Sequence, residues 1–275
     1  MLEQLKYRNH LGETFEFGKD GIFVNYNDLR DYEWTVAKKN NRITDLSYTI
    51  VKRKLPIIIY CKTEAAGVAA KNRLFEIVEK DVLAMQHGRI ILGDYYLRCY
   101  VVKSQKKNYL STKRYLEVTL TLTTDFPYWI KETSSNFLRN DLQHEKSKWL
   151  EYDYDFPHDY LNDVRSDVLS NKNFVASNFR LMINGPCENP IIHISDHAYQ
   201  VKCTVEAGEY LTVDSVAKTI TKTGVDGTIT NLFNRRNKES YIFEKIPAGE
   251  NSISWNGTFS FEIILHEERS EPKWI

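Results

Sequence analysis

The sequence predicts a mainly β protein built as two β-domains. The first, about 1–130, is a β-sandwich or barrel with one packed α-helix; the second, about 131–275, is an antiparallel β-sandwich. Three observations carry this. Short segments alternate apolar and polar residues with a period of two, which puts one set of side chains on each face of a sheet. Gly, Pro and Asn recur between those segments, as the turns of sandwiches and barrels require. Only one stretch, about Glu64 to Asp81, has apolar residues at helical spacing. A chain of 275 residues can bury one or two cores.

In chain order, Leu5, Tyr7, Phe15 and Phe17 alternate with polar residues around His10-Leu11-Gly12-Glu13 and predict a hairpin. Ile22, Phe23 and Val24 follow the punctuation between Gly18 and Gly21. From Asp31 to Lys62 the pattern is β again: Tyr32, Trp34 and Val36, then Ile43 to Val51, then Pro56 to Tyr60. Lys52-Arg53-Lys54 falls between the last two. It predicts a solvated strand end or loop, or an arm that touches a neighbouring subunit. Thr63 is placed to cap the helix. Val68, Phe75, Val78 and Val82, with Leu74 and Ile77 beside them, predict its apolar stripe. Lys71, Arg73, Glu76, Glu79 and Lys80 take the other side, with Glu76 and Lys80 as an i,i+4 pair. Gly67 weakens the first turn by roughly 1 kcal/mol relative to alanine. Arg89 to Leu92 and Tyr95 to Val102 predict a hairpin, and Tyr115 to Thr123 a further strand that ends at Asp125-Phe126-Pro127-Tyr128-Trp129.

Residues 131–175 differ. Lys131 to Lys148 is polar, and Trp149 to Tyr160 is an acidic aromatic tract without helical periodicity. Pro157 biases Phe156 away from helix. The tract predicts an extended connector whose rings pack on a domain or a subunit. Strands resume with Phe179, Leu181 and Ile183, then Ile191 to Ile194, Val201 to Val205, Leu211 to Val213, Thr219 to Thr221, Tyr241 to Phe243, Ser252 to Trp255 and Phe259 to Leu265. Asn256-Gly257 between the last two suggests a hairpin. A two-residue turn would put Trp255 and Phe259 on opposite faces, whereas a three-residue loop puts Ile253, Trp255, Phe259 and Phe261 on one. Burial therefore predicts the odd loop, with Trp255, Phe259 and Phe261 in the core.

Composition excludes several classes. Lys plus Arg and Asp plus Glu both number 37, so there is no basic excess of the kind that wraps nucleic acid. No apolar run is long enough to cross a membrane. The first residues lack the apolar core of a signal peptide, so a cytosolic site of synthesis is expected. Cys61, Cys99, Cys187 and Cys203 form no C-x-x-C pair and are expected as reduced, buried residues. The chain has no G-x-x-x-x-G-K-[ST], G-x-S-x-G or H-E-x-x-H. Asp153, Asp155 and Asp159 have the start of a calcium-loop spacing. His158 stands where the turn needs glycine, and Val164 where a bidentate glutamate is needed. His193 and His197 are four apart on a strand running into a turn, so they point differently. Asn256-Gly257-Thr258 is a turn rather than a glycosylation site.

Several runs also carry a resemblance. Gly208-Glu209-Tyr210-Leu211-Thr212-Val213-Asp214, Asn231-Leu232-Phe233 and Ile246-Pro247-Ala248-Gly249-Glu250-Asn251 with Trp255 and Gly257 are three of them; Glu267 to Trp274 is another. In order and spacing they resemble the C-terminal part of the distal tail proteins of long-tailed bacteriophages and prophages. The helix, the tyrosine hairpin and Asp125-Phe126-Pro127-Tyr128-Trp129 are similar to the N-terminal half. The resemblance implies a structural virion protein with no catalysis, no cofactor and no metal, and a galectin-like second domain. It implies a hexameric ring at the tip of the tail, assembled in the bacterial host cytoplasm. Implied partners are the tail tube protein, the tape measure protein, the tail-associated protein and receptor-binding proteins. DNA would pass through the channel without being held. Candidate subunit-interface residues are Lys52, Arg53, Lys54, Tyr95, Tyr96, Tyr152, Tyr154 and Trp274. The alternative is a carbohydrate-binding module for host cell-wall glycans, since aromatic faces and carboxylates suit sugars. A wall hydrolase would need paired acids or a nucleophile constellation, which the sequence does not offer.

Overall fold

The computed structural model describes residues 4–19, 21–107, 112–139 and 165–274. It is mainly β and divides into two compact units, Met1–Lys131 with Glu268–Ile275, and Glu132–Glu267. The chain end from Glu268 thus joins the first unit rather than the second domain into which the sequence reading placed it.

In the first unit, β1 (Leu5–Arg8) and β2 (Thr14–Glu16) form the expected hairpin, with Tyr7 opposite Phe15. Asn9 organises its turn: Oδ1 accepts the Leu11 and Glu13 amides at 3.1 and 2.8 Å. β3 (Ile22–Val24) pairs with β6 (Val51–Tyr60). Between them, β4 (Thr35–Lys39) and β5 (Arg42–Ser47) pair, among the described residues, only with each other. Asn40 and Asn41 turn this hairpin with φ of 50° and 59°, the left-handed pair that a type I′ turn requires.

The helix α1 (Glu64–Ala84) starts where Thr63 accepts the Ala66 amide at 3.2 Å and ends at Met85, whose φ is 52°. Its buried positions are Gly67, Ala70, Leu74, Ile77, Val78 and Asp81, so the inward stripe is rotated from the one expected. Val68 faces solvent. Small residues fill the near side because the backbone passes close: a Cβ on Gly67 would stand 2.5 Å from the Lys113 carbonyl oxygen. Lys80 pairs across to Glu13 at 2.8 Å rather than with Glu76. β7 (Gly88–Leu92) and β8 (Tyr95–Lys107) form the predicted hairpin. The first half of β8 pairs with β7, and its second half with β9 (Tyr115–Thr124), past an irregularity between Val101 and Lys103. β10 (Trp129–Phe137) begins against β8, with Trp129 opposite Leu97. The strands run β2-β1-β7-β8, then β9-β6-β3. Leu55, Ile57, Ile59, Leu97, Leu116, Val118, Leu120 and Trp129 make a core closed by Leu74 and Ile77 of α1.

The second unit is a sandwich. Its strands are β11 (Arg165–Asn171), β12 (Asn178–Asn184), β13 (Cys187–Glu188), β14 (Ile191–Ile194), β15 (His197–Gln200), β16 (Thr204–Val205), β17 (Tyr210–Asp214), β18 (Thr219–Thr223), β19 (Ile229–Asn231), β20 (Gly249–Trp255) and β21 (Phe261–Arg269). One sheet runs β19-β18-β17-β12-β21; the other runs β11-β20-β14-β15. Alternate residues of both fill a shared core, with Phe179, Leu181, Ile183, Ile194, Leu211, Val213, Ile253 and Ile263 among them.

Two expectations need correction here. Tyr241 to Phe243 is a turn, not a strand, although Ile242 and Phe243 are buried. β20 and β21 are not a hairpin: β20 pairs with β11 and β14, β21 with β12. Trp255, Phe259 and Phe261 are nevertheless all in the core, as burial demanded. The chain crosses from one sheet to the other at Asn256–Ser260. Trp255 Nε1 donates to the Phe259 carbonyl at 3.1 Å, and Asn256 Oδ1 accepts the Thr258 amide at 3.2 Å.

Candidate functional site

The side chains that could act on a partner lie on exposed strands and along surface grooves. Among the described residues no group of three or more His, Cys, Asp or Glu side chains could hold a metal ion. None of the four cysteines forms a disulfide among the described residues. Burial pushes the Cys99 thiol up to about 12 and the Cys187 thiol, with Cys203 beside it, up to about 11, away from the thiolate a nucleophile needs. His193 lies opposite Ala198, and Ile194 opposite His197, so the two histidines fall on opposite faces of the hairpin. His197 Nε2 lies 2.9 Å from the Tyr241 carbonyl oxygen.

The β4–β5 hairpin is the most exposed element of the first unit. Val36, Ile43 and Leu46 are 42%, 63% and 53% exposed, on a two-stranded ribbon that is marginally stable by itself. At its base Trp34 stacks on Tyr48 with centroids 4.1 Å apart, and Tyr128 meets Tyr48 edge-on at 5.2 Å. Beside that base is a groove of about 740 Å³, lined in part by Asp31, Tyr32, Trp34, Ile50, Lys52 and Arg53. A second, more apolar groove of about 640 Å³ lies among Phe15, Ile22, Phe23, Tyr60, Ala66 and Ala70.

The three cations Lys52, Arg53 and Lys54 do not form a loop. They lie within β6, and alternation sends Arg53 inward while Lys52 and Lys54 stay exposed. Arg53 is 2% exposed. Its Nη1 donates to the carbonyls of Leu29, Asp31 and Asp28, so it ties the 28–31 segment to the strand. Burial lowers its pKa, with Asp28, Tyr48 and Asp31 acting the other way. The reading of three projecting cations fails at Arg53 because a period of two cannot expose three successive residues.

Of the other sequence candidates, Tyr95 is buried, and Tyr96 is half-buried under Arg89, whose guanidinium lies 4.3 Å from the ring centroid. Trp274 is 75% exposed and lies against Arg30 at 3.8 Å; Arg30 also donates to the Pro272 carbonyl at 2.8 Å. Tyr152 and Tyr154, with the whole acidic aromatic tract, lie outside the described residues. Sequence reasoning missed the exposed hairpin. Its signal was Lys38-Lys39-Asn40-Asn41, a polar turn between two short apolar runs.

Among the described residues, apolar side chains stand exposed on the β4–β5 hairpin of the first unit. The fold as a whole has counterparts among solved structures. The chain shares its fold with the SPP1 Dit (gp 19.1) protein, described as a paradigm of hub adsorption apparatus in phages that infect Gram-positive hosts. That match has a TM-score of 0.59 at 11% identity and covers 98% of this chain and 100% of that one. It also shares its fold with a chain of the phage P2 baseplate in its activated conformation with Ca, and with one of the same baseplate with Sr. Each has a TM-score of 0.65 at 12% identity, covering 99% of this chain and 100% of that one. No family model and no curated protein matches the chain. The fold therefore agrees with the resemblance read from the sequence, that of the distal tail proteins.

Proposed function

We propose that this chain is a structural virion protein, a distal tail protein that forms a hexameric hub at the tip of a phage tail. The hub joins the tail tube protein and tape measure protein to the tail-associated protein and the receptor-binding proteins. The observation that carries this reading is the extent of the fold likeness: both units are covered, and the proteins matched are a hub and a baseplate component. The exposed apolar hairpin supports it, since a ribbon that buries nothing of its own gains by packing on a neighbour. Lys52, Lys54, Tyr96 and Trp274 are candidate contacts on the same unit. Zero formal charge supports a channel that lets DNA through without holding it.

A closed ring has cyclic symmetry, so its test is mass and shape. Light scattering after size exclusion and negative-stain images should give a sixfold ring with the mass of six chains, in isolation or once a tail neighbour is added. A dimer as the sole assembly, in solution and in particles, refutes the hub. Capture by purified peptidoglycan or teichoic acid from a monomer that never closes a ring would favour the carbohydrate-binding alternative.

A further inference from the structure

Three arginines stand side by side across three adjacent strands of the first unit. Arg8 of β1 is opposite Arg89 of β7, and Arg89 is opposite Arg98 of β8. Adjacent strands are about 4.8 Å apart, so the row spans about 10 Å. Like charges directly opposite one another destabilise a sheet. Nearby cations on this unit are neutralised: Lys6 pairs with Glu16 at 2.9 Å, Lys80 with Glu13 at 2.8 Å and Lys131 with Asp94 at 2.8 Å. Among the described residues no carboxylate lies within ion-pair distance of Arg8, Arg89 or Arg98. Asp81, the buried acid of this region, is occupied by the Tyr7 hydroxyl at 2.6 Å, the His10 amide at 2.8 Å and the His10 ring at 2.6 Å.

The row is also held ready. Arg89 stacks on Tyr96 at 4.3 Å and Arg98 on Phe126 at 4.5 Å. A guanidinium stacked on a ring keeps its donors in its own plane, directed away from the ring face. The buried Nε of Arg98 has no hydrogen-bond acceptor. Arg8 and Arg89 line a pocket of about 500 Å³ together with His10 and His87 and no acidic residue.

We propose that Arg8, Arg89 and Arg98, with the pocket beside them, bind an acidic polypeptide segment of a partner protein through its carboxylates. Each guanidinium presents a fork that matches a carboxylate bidentately. A peptide fits better than duplex nucleic acid because the row is short and the chain has no wider basic excess. The pocket has room for one or two acidic side chains, and an anion there relieves the repulsion along the row. The proposal does not depend on the hub reading, because it rests on the charges of one unit.

The test uses the full chain with a fluorescein-labelled oligoglutamate peptide in anisotropy titrations, and a labelled DNA duplex and inorganic phosphate as separate probes. The chain should bind the peptide at low salt. The triple variant Arg8→Gln, Arg89→Gln, Arg98→Gln should bind it roughly tenfold more weakly or worse, while Lys238→Gln on an exposed loop is unchanged. The triple variant should fold, with a melting temperature equal to or above that of the parent. An independent readout is the His87 ring. Burial first, then Arg98 and Arg89, holds it below the usual histidine pKa, with Asp125 and Asp81 pulling the other way. Bound oligoglutamate should raise its titration midpoint in the parent and leave it unmoved in the triple variant. No peptide binding, equal binding by the triple variant, or an unmoved His87 overturns the proposal. Tighter binding of the duplex or of phosphate through the same arginines overturns the choice of a peptide.

Discussion

Gly67→Ala tests the packing of the helix on the chain around it, because two rules give opposite signs. Gly67 is a helical residue, and alanine is favoured there by about 1 kcal/mol on intrinsic propensity. The structure opposes that gain. The new Cβ would stand 2.5 Å from the Lys113 carbonyl oxygen and 3.0 Å from the Arg114 Cα, and both are backbone atoms. Backbone can yield only if the segment moves, and this segment is tied to the same helix. Lys71 Nζ donates to the Lys113 carbonyl at 2.9 Å and the Tyr115 carbonyl at 3.1 Å, and Arg114 Nε donates to the Cys61 carbonyl at 3.1 Å. Overpacking of this kind costs about 1–3 kcal/mol, and with a strained hydrogen bond worth about 1 kcal/mol set against the propensity gain, the net change is a loss of about 1–3 kcal/mol. Urea and thermal unfolding followed by Trp fluorescence should show the first unit melting lower, by about 2–4 °C per kcal/mol. Ala69→Gly, on the exposed side of the same helix, supplies the propensity scale and should cost about 1 kcal/mol. A Gly67→Ala protein as stable as the parent, or more stable, would refute the close approach of the two backbones.

Further expectations follow from particular side chains. Trp255→Ala should cost about 3–5 kcal/mol, because the ring is buried edge-on to Phe261 at 5.0 Å and to Phe137 at 6.0 Å; chemical denaturation of the second unit measures it, and a loss under 1 kcal/mol would contradict the buried corner. Lys52→Glu with Lys54→Glu should leave the monomer folded and weaken ring assembly, whereas Arg53→Met should unfold part of the first unit by stranding the carbonyls of Leu29 and Asp31; circular dichroism and light scattering separate the two effects. The Cys99 thiol is held neutral by burial, with a pKa raised to about 12 from 9.0, so the stability it contributes is complete below about pH 9 and lost as pH rises toward 12. Melting temperature under reducing conditions should therefore fall above pH 9 by more in the parent than in Cys99→Ala, and iodoacetamide should leave Cys99 unmodified until the first unit unfolds.

The alternation of residues determined a good deal. It placed the β1–β2 and β7–β8 hairpins, the strands β9, β12 and β17, and the inward set Trp255, Phe259 and Phe261, because a period of two decides which side chains share a face before any partner strand is chosen. Thr63 and the run after it marked α1. Spacing along the chain says nothing about which strand lies beside which. Tertiary structure alone put β20 and β21 in different sheets and the end from Glu268 in the first unit. It also rotated the helix stripe onto Gly67 and Ala70, since the nearest neighbour there is another stretch of backbone and only small residues admit it. Arg53 turned inward for the same kind of reason: the carbonyls of the 28–31 segment come from a part of the sequence with no local link to it. The three arginines across β1, β7 and β8 are separated along the chain and meet only by strand pairing. A sequence read in line shows faces and turns, which are local. Neighbours across a sheet, and the charges they concentrate, depend on the long-range pairing that folding selects.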